Sequence, residues 1–360
     1  LGSVRPWLGR ATAEGLLDPI RETPDQKTLQ QWLYQAMVAL SQDGITAVRT
    51  PDGVAAFRAY QCLLQQDRLP VRIGFYYPDG YVDSLARTGV RAPFGNDRLA
   101  VCGLKAFIDG ALGSQTAEMF DCYEKAPDNL GISTMSDSEV LDLFTKATEA
   151  GLPVAIHAIG DKANHRVLDV AERVRKSLPN IPWPRHSIEH AQLLTREDIA
   201  RMAEVGLIAS MQPLHVSGDW KMADRHWGQR SKGAYAFRSL LNVRARLAFG
   251  SDCPVEEASP MLGMRAAVTR TDLDCQPEGG WYPEEKLTPM EALAAYTLQG
   301  SYAMGFESQI GSLAEGKKAD LVVLDCDLLA SDPFEWSSER VVLTMMNGQI
   351  THHRGDLKLE

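Results

Sequence analysis

The sequence lacks the features that mark several classes of protein. Its six cysteines are scattered and form no C-x-x-C pair, which argues against a zinc knuckle or a disulfide framework and favours a reduced compartment. No apolar run approaches the roughly 18 residues that a membrane-spanning helix needs. Acidic residues outnumber basic residues by 47 to 37, and the formal net charge of -10 disfavours a nucleic-acid-binding surface. We therefore expect a soluble protein without a nucleic-acid or membrane partner.

The sequence also lacks an initiator methionine and a signal-peptide pattern, since it opens with LGSVRPWLGR. We expect further residues to precede Leu1, and any targeting signal to lie there. The residues present predict a cytoplasmic protein. Residues 1–26 show no clear period and predict a loop with room for one short helix.

What the sequence does contain is a repeated alternation of strand-like and helix-like runs. Its 360 residues suffice for one barrel of roughly 250 residues with an appendage. Strand-like runs lie near residues 45, 70, 100, 153, 186, 208 and 247, with helical patterns between most of them. This alternation predicts parallel strands joined by right-handed crossovers.

Four segments outside these runs carry specific predictions. A capping-box pattern, Ser136 followed by Glu139, predicts a helix that ends near Ala150. The stretch from Thr288 to Met304 predicts one long helix with a proline at its first position. Residues 216–232 are polar and predict a loop that borders the substrate pocket, as does the loop of residues 109–134.

The pattern changes after Gly305. Short β-rich runs follow, and Asn347-Gly348 between two of them is a hairpin signal. We therefore predict a barrel over residues 1–305 and a small β domain over residues 306–360.

Three strand-like runs end on residues that can bind a metal ion. His157 and His190 each end one run, and Asp252 follows a third. The carboxyl ends of parallel barrel strands form one face, so these side chains should converge. Imidazole and carboxylate groups together suit a divalent ion such as zinc, which lowers the pKa of a bound water to about 7. Asp252 could then be both a ligand and the base that accepts the proton of that water.

Lys105 holds the equivalent place on the run LAVCGLKAF, on the same face as Val101 and Gly103 if the strand alternates regularly. Three interpretations remain open. The side chain could simply extend from a strand end. It could be carboxylated and bridge two metal ions, because burial near a metal would lower its pKa. It could also form a Schiff base in a metal-independent enzyme.

Other polar residues near the strand ends have lesser predicted roles. A single histidine at a strand end is more often a packed residue than a ligand. His215 and Gln212, near the end of the next strand-like run, are candidate substrate contacts. Glu189 precedes His190 and should point to the opposite face of the strand, which indicates a structural role.

These motifs, in this order, resemble the amidohydrolase superfamily and most closely its amidohydrolase family 3, which includes N-substituted formamide deformylase-like enzymes. The matching segments are DGITAVRTPDG, KAFIDGALGS, HAIGDKAN, HSIEHAQ, MQPLH, FGSDCPV and the tail TPMEALAAYTLQGSYAMGFESQIGSLAEGKKADLVVLD. The resemblance implies an α/β fold, a TIM-like (β/α)8 barrel of the metal-dependent hydrolase type, with a small β-sandwich appendage. It also implies hydrolysis of a C–N bond of an amide other than a peptide bond, by metal-activated water.

The resemblance further implies a set of site residues. His157, His190 and Asp252 would bind one or two divalent ions, most simply zinc, and Lys105 would join them, because several relatives use such a lysine as a metal-bridging carbamate. The expected partner is a small-molecule amide substrate. A homodimer is left open.

One feature departs from the superfamily pattern. Its members carry an H-x-H pair at the end of the first barrel strand, and no H-x-H occurs in this sequence. Seven strand-like runs are found where a closed barrel has eight. We therefore expect a barrel without its first strand, with two metal ligands missing and two strand edges unpaired. A catalytically inactive fragment, or a binding or regulatory protein on the same scaffold, is the alternative function.

Overall fold

The fold is built on a parallel β-sheet, seen in a computed structural model that describes residues 24–355. The loop predicted for residues 1–26 lies almost wholly outside the described residues. The strands of the sheet are β1 (Ala47–Thr50), β2 (Arg72–Pro78), β3 (Phe94–Gly95), β4 (Leu99–Phe107), β5 (Val154–Ala158), β6 (Ser187–His190), β7 (Ile208–Met211) and β8 (Arg246–Phe249). Seven of them run parallel in the order β1-β2-β4-β5-β6-β7-β8, and the short β3 pairs antiparallel with β4. The seven predicted strands are thus confirmed.

Helices connect the strands and cover the outer face of the sheet. They are α1 (Gln26–Gln42), α2 (Val54–Gln65), α3 (Val82–Arg87), α4 (Asp137–Ala150), α5 (Asp161–Ser177), α6 (Arg196–Val205), α7 (Leu214–Trp227), α8 (Phe237–Asn242), α9 (Pro260–Thr269), α10 (Pro289–Tyr296) and α11 (Leu298–Met304). The apolar residues of these helices and of the outer strand faces form the main core. The result is a partial TIM-like barrel that curls through seven parallel strands.

Helix α4 begins as its sequence predicts. The Ser136 side chain accepts a hydrogen bond from the Glu139 backbone, and the Glu139 side chain accepts one from the Ser136 backbone. Gly151 ends the helix with φ 70°, a conformation that favours glycine. The local signals here are sufficient because every group involved lies within one helix.

The single helix predicted from Thr288 to Met304 was wrong. The helical conformation breaks at Thr297, with φ -107° and ψ -80°, so α10 and α11 are separate helices. The Thr297 hydroxyl donates to the Leu293 carbonyl at 2.7 Å. A threonine side chain that bonds the preceding turn competes with regular helix geometry.

The loop predicted for residues 216–232 was also wrong, because α7 and a 3₁₀-helix (Gly228–Gly233) occupy this segment. Pro213 lies at the N-cap of α7. Val216, Ala223 and Trp227 are buried on one face at helical spacing. This sparse apolar period was present in the sequence and was hidden by the polar residues between.

An irregularity in β4 changes which side chains face inward. Ala100 and Cys102 belong to the inner cluster with Tyr76 and Ala155, whereas Leu104 and Ala106 belong to the main outer core. Regular alternation would keep all four on one face, so the face switches between residues 102 and 104, where the pairing with β2 shifts register. Lys105 therefore faces inward, and the prediction that it shares a face with Val101 and Gly103 was wrong.

A separate antiparallel sheet follows residue 305. It contains β9 (Leu321–Leu324), β10 (Val341–Met346) and β11 (Gln349–His353) in the order β11-β10-β9. The predicted hairpin is confirmed, since Asn347 and Gly348 connect β10 to β11 with φ 54° and 78°.

Within the described part of the chain, no helix combines the length and the apolar character that a bilayer crossing requires.

Candidate metal centre

The residues predicted at the strand ends come together at one edge of the parallel sheet. The rings of His157 and His190 lie edge to face with centroids 4.6 Å apart, and the His190 and His215 centroids are 6.0 Å apart. His215 Nε2 lies 3.7 Å from Asp252 Oδ2. The three imidazole rings thus lie next to one another in the order His157, His190, His215, and His215 lies beside the Asp252 carboxylate.

The backbone at two of these residues adopts a strained conformation. His190 has φ 75°, the following Ala191 has φ 42°, and Asp252 has φ 57°. Non-glycine residues in this region cost about 1–3 kcal/mol each and are concentrated at functional sites. At His190 the turn out of β6 lets the ring meet that of His157, although regular strand alternation would direct it elsewhere.

Hydrogen bonds define which nitrogen of His190 is available. Its Nδ1 lies 2.8 Å from Gln212 Oε1, while Gln212 Nε2 donates to the Ser210 carbonyl at 3.3 Å. The amide oxygen can only accept, so Nδ1 carries the proton and Nε2 keeps its lone pair. Burial lowers the pKa of His190 to about 4, against the opposing charge of Asp252, so the ring is neutral at pH 7. Gln212, predicted as a substrate contact, lies against His190.

His157 has the opposite tautomer. Its Nε2 donates to the Gly110 carbonyl at 2.8 Å and lies 3.4 Å from Asp109 Oδ1, so Nδ1 keeps the lone pair. Burial, then the nearby charges of His190 and Lys105, hold the pKa of His157 well below its usual value. Burial also raises the pKa of Asp109 to about 7, although backbone N–H groups oppose this shift.

His215 lies in the first turn of α7, between two carboxylates, and not on a strand. Its Nδ1 is 3.1 Å from Glu256 Oε1, and its Nε2 faces Asp252. Burial would lower the pKa of His215, but the neighbouring carboxylates of Asp252 and Glu256 raise it to about 9. The pKa of Asp252 falls to about 2 despite partial burial, because His215 and His190 favour the anion.

The donor groups fit a divalent cation. The ligand atoms of His190, His215 and Asp252 all lie within 4.8 Å of one another. The gap between His215 Nε2 and Asp252 Oδ2 accommodates a positive charge, which either a proton or a metal ion can supply. Imidazole nitrogen and carboxylate oxygen are the donors that zinc and similar ions accept.

Lys105 belongs to the same group of residues. It is buried, its Nζ lies 4.4 Å from the Phe107 ring centroid, and its charge acts on His157, His190 and Asp252. Of the four residues predicted as ligands, His190 and Asp252 thus bring their ligand atoms together with those of His215. The His157 ring packs against His190, and Lys105 lies beside these three residues without belonging to the set.

Below this group, Glu189 forms an inward-facing polar network. Arg49 of β1 contacts the Glu189 carboxylate at 2.5 Å and donates to Ser187 and Ser210 at 3.1 and 2.7 Å. Three strands separate β1 from β6 in the sheet, so these bonds cross its concave side. Both serines also donate to Glu189, which therefore has the structural partners that its predicted role requires.

Several of these contacts have no local signal in the sequence. Arg49, Asp109 and Glu256 reach the group from segments far apart in the chain. For His215, the helical spacing of the buried residues that follow it was the available signal.

Comparison with known proteins agrees with this geometry. The amidohydrolase family model matches residues 8–352. The chain is 40% identical to the protein LONG AFTER FAR-RED 3 of Arabidopsis thaliana over 225 residues, and this alignment covers 62% of this chain and 38% of that protein. It is 31% identical to an N-substituted formamide deformylase of Arthrobacter pascens over 254 residues, and this alignment covers 70% of this chain and 45% of that protein. The matched region thus spans less than half of either relative.

The fold also matches a crystal structure of an uncharacterized metal-dependent hydrolase from Pyrococcus horikoshii. The TM-score is 0.79 at 29% sequence identity, and the match covers 90% of this chain and 65% of that chain. A second such hydrolase, from Pyrococcus furiosus, matches with a TM-score of 0.75 at 27% identity, over 91% of this chain and 65% of that chain.

Proposed function

Because the chain belongs to the amidohydrolase family, we propose that it acts as a metal-dependent hydrolase on the C–N bond of an amide other than a peptide bond. The convergence of His190, His215 and Asp252 at the carboxyl edge of the sheet is the observation that carries this proposal. The strained backbone at His190 and Asp252 supports it, because such strain is concentrated where side chains must be aimed.

In this proposal Lys105, His157, His190 and Asp252 hold one or two divalent ions, with zinc the first choice. Three of these residues are buried side chains with restricted orientations, which suits a metal site. His215 either adds a further ligand or contacts the substrate. Carboxylation of Lys105 would convert its amine into an anionic ligand between two ions.

The reaction divides between a bound ion and the residues of this chain. A bound divalent ion would lower the pKa of a coordinated water. Asp252, with a side chain 42% exposed, can accept the proton of that water and later transfer it to the departing amine. Its position 3.7 Å from His215 keeps it ionised. His215, fixed by Glu256, can hydrogen-bond the carbonyl oxygen of the substrate.

The proposed substrate is a small-molecule amide. The relative from Arthrobacter pascens carries the name N-substituted formamide deformylase, so N-substituted formamides are the first compounds to test. Gln212 could still contact a substrate through a shifted side chain, although His190 occupies its amide oxygen here. A cytoplasmic location is part of this proposal.

The test measures the zinc content of the full chain and its hydrolysis of small-molecule amides. The same measurements are made on the variant His190→Ala and on the control His226→Ala. His226 lies near the end of α7 and outside the group. We expect zinc binding and amine release that a chelator abolishes and zinc restores. His190→Ala should lose both, and His226→Ala should retain them. Hydrolysis that survives chelation, or a fully active His190→Ala variant, would contradict the proposal.

The same experiment separates the alternative function. Zinc binding without hydrolysis of any amide in the panel would favour a binding or regulatory protein on this scaffold. The strained site would then serve ligand binding and not turnover.

A further inference from the structure

Asp109 is a buried carboxylate that the proposed chemistry does not use. It follows β4 by two residues, and its side chain is fully inaccessible to solvent. Its oxygens accept hydrogen bonds from the backbone N–H groups of Glu118 at 3.0 Å, Ile159 at 3.1 Å and Gly160 at 2.8 Å. A buried carboxylate with this many main-chain donors fixes the segments that supply them.

These contacts hold His157 at two points. Ile159 and Gly160 follow His157 by two and three residues, so Asp109 fixes the main chain beside it. Gly110, the residue after Asp109, accepts a hydrogen bond from His157 Nε2 through its carbonyl oxygen at 2.8 Å. Asp109 Oδ1 lies 3.4 Å from the same nitrogen. Main chain and imidazole are therefore oriented by the same pair of residues.

The surrounding backbone packs closely at both glycines of this arrangement. A Cβ at Gly160 would lie 1.9 Å from the Glu118 carbonyl oxygen, and one at Gly110 would lie 2.0 Å from Thr116 Oγ1. The loop after β4 thus sits in direct contact with the turn after β5. Asp109 directly precedes Gly110, so we expect the loss of its bonds to the turn after β5 to shift the Gly110 carbonyl as well.

We propose that Asp109 is a positioning residue for the metal centre, which holds His157 in the Nε2–H tautomer and presents Nδ1 as its metal-binding atom. This inference rests on the proposed function for its metal, but the tautomer itself does not depend on that function. Groups that orient a metal-binding histidine contribute about 10- to 100-fold to metal affinity. Asp109 therefore acts through His157 and touches neither substrate nor ion.

The test compares Asp109→Asn with Asp198→Asn. In Asp109→Asn one oxygen becomes an NH₂ group, which must face backbone N–H donors in either orientation. Asp198 is the matched control, because it is also fully buried and accepts bonds from Thr195 and Arg201 away from the site. Zinc affinity is measured by competition with a chelating dye, and thermal unfolding is recorded for both variants.

We expect Asp109→Asn to lose about 10- to 100-fold in zinc affinity at a temperature where it is fully folded. Asp198→Asn should unfold at a lower temperature yet bind zinc as the wild type does. Unchanged affinity in Asp109→Asn, or an equal loss in Asp198→Asn, would overturn the proposal.

A second readout needs no metal. Two-bond ¹H–¹⁵N spectra of histidine-labelled protein report each tautomer, and His157→Gln identifies the signals of His157. The wild type should show the Nε2–H form, and Asp109→Asn should show a mixture. If the wild type binds no zinc, the proposed hydrolase function fails, while these spectra still decide the role of Asp109. A wild type without the Nε2–H form would refute that role.

Discussion

Two histidines four residues apart show how local surroundings decide the role of a side chain. His186, just before β6, is fully buried, with Nδ1 accepting from the Val154 backbone at 3.0 Å and Nε2 bonded to Thr148 at 3.1 Å. His190, at the other end of the strand, keeps Nε2 without such a partner among the residues that the structure describes. Both are buried and neutral, but only His190 has a lone pair available at the site.

His186 should make folding sensitive to acid. Burial lowers its pKa from 6.5 to about 3, so below pH 6.5 the unfolded chain binds a proton that the folded chain excludes. This contribution to the free energy of unfolding is complete above pH 6.5 and falls by up to about 1.4 kcal/mol per pH unit towards pH 3. We predict that His186→Asn, which retains an acceptor for Val154, is less stable at pH 7.5 but has a shallower dependence on pH.

Urea unfolding at pH 7.5, 6.5 and 5.5 checks this expectation. The difference in unfolding free energy between wild type and variant should shrink as the pH falls. If the unfolding free energies of the two proteins changed equally with pH, His186 would have the same pKa in the folded and unfolded states, contrary to this prediction.

The elements of the fold followed from sequence where their signals were local. The capping box of α4 and the hairpin between β10 and β11 each depend on a few adjacent residues. The switch of faces in β4 did not follow, because it depends on the register with β2. The break at Thr297 did not follow either, since neither proline nor glycine marks it.

Helix α7 offers a direct test at this scale, because its sequence had predicted a loop. Lys221 lies in the middle of α7 with a side chain 71% exposed. A proline there removes a backbone donor and clashes with the preceding turn, at a cost of about 3 kcal/mol or more. We predict that Lys221→Pro lowers the free energy of unfolding by about 3 kcal/mol or more. The control Lys221→Ala should change it by less than about 0.5 kcal/mol.

Because His215 lies in the first turn of the same helix, Lys221→Pro should also weaken zinc binding, measured by dye competition. A loop would tolerate both substitutions equally. Matching stabilities for the two variants would therefore contradict the helix.

The parallel and antiparallel sheets of the molecule are joined at the end of the parallel sheet that lies opposite the site. Arg72, the first residue of β2, is buried and donates to both oxygens of Asp320 at 2.7 and 2.8 Å. Asp320 also accepts from the Asn347 backbone in the β10–β11 turn at 2.7 Å. One ion pair thus ties the parallel sheet to the antiparallel sheet.

Sequence reasoning found both sheets and most of the strand-end group, because each depends on a period or an ordered motif. It did not find Arg72–Asp320 or Arg49–Glu189, whose partners are separated by 248 and 140 residues. Such pairs arise only once the chain has folded and the sheet has curled. Ordinary arginines and acids carry no sign of that in the linear chain.

The Arg72–Asp320 pair should therefore contribute to the stability of the whole molecule without affecting the site. Its side chains are 2% and 4% exposed, and removing one partner of a buried pair costs about 3–5 kcal/mol. Without Asp320, the buried Arg72 would keep only Asp97, at 3.3 Å, as an anionic partner among the described residues. We predict that Asp320→Asn lowers the free energy of unfolding by about 3–5 kcal/mol. The double variant Arg72→Met/Asp320→Asn, in which neither charge remains, should lose less.

The control Asp67→Asn alters the ion pair of Asp67 with Arg98. The Asp67 carboxylate is 72% exposed, so this substitution should cost less than about 1 kcal/mol. Urea unfolding measures all three, and zinc affinity should remain at the wild-type value in each. A double variant at least as unstable as Asp320→Asn would show that Arg72 and Asp320 do not stabilise the fold as a pair.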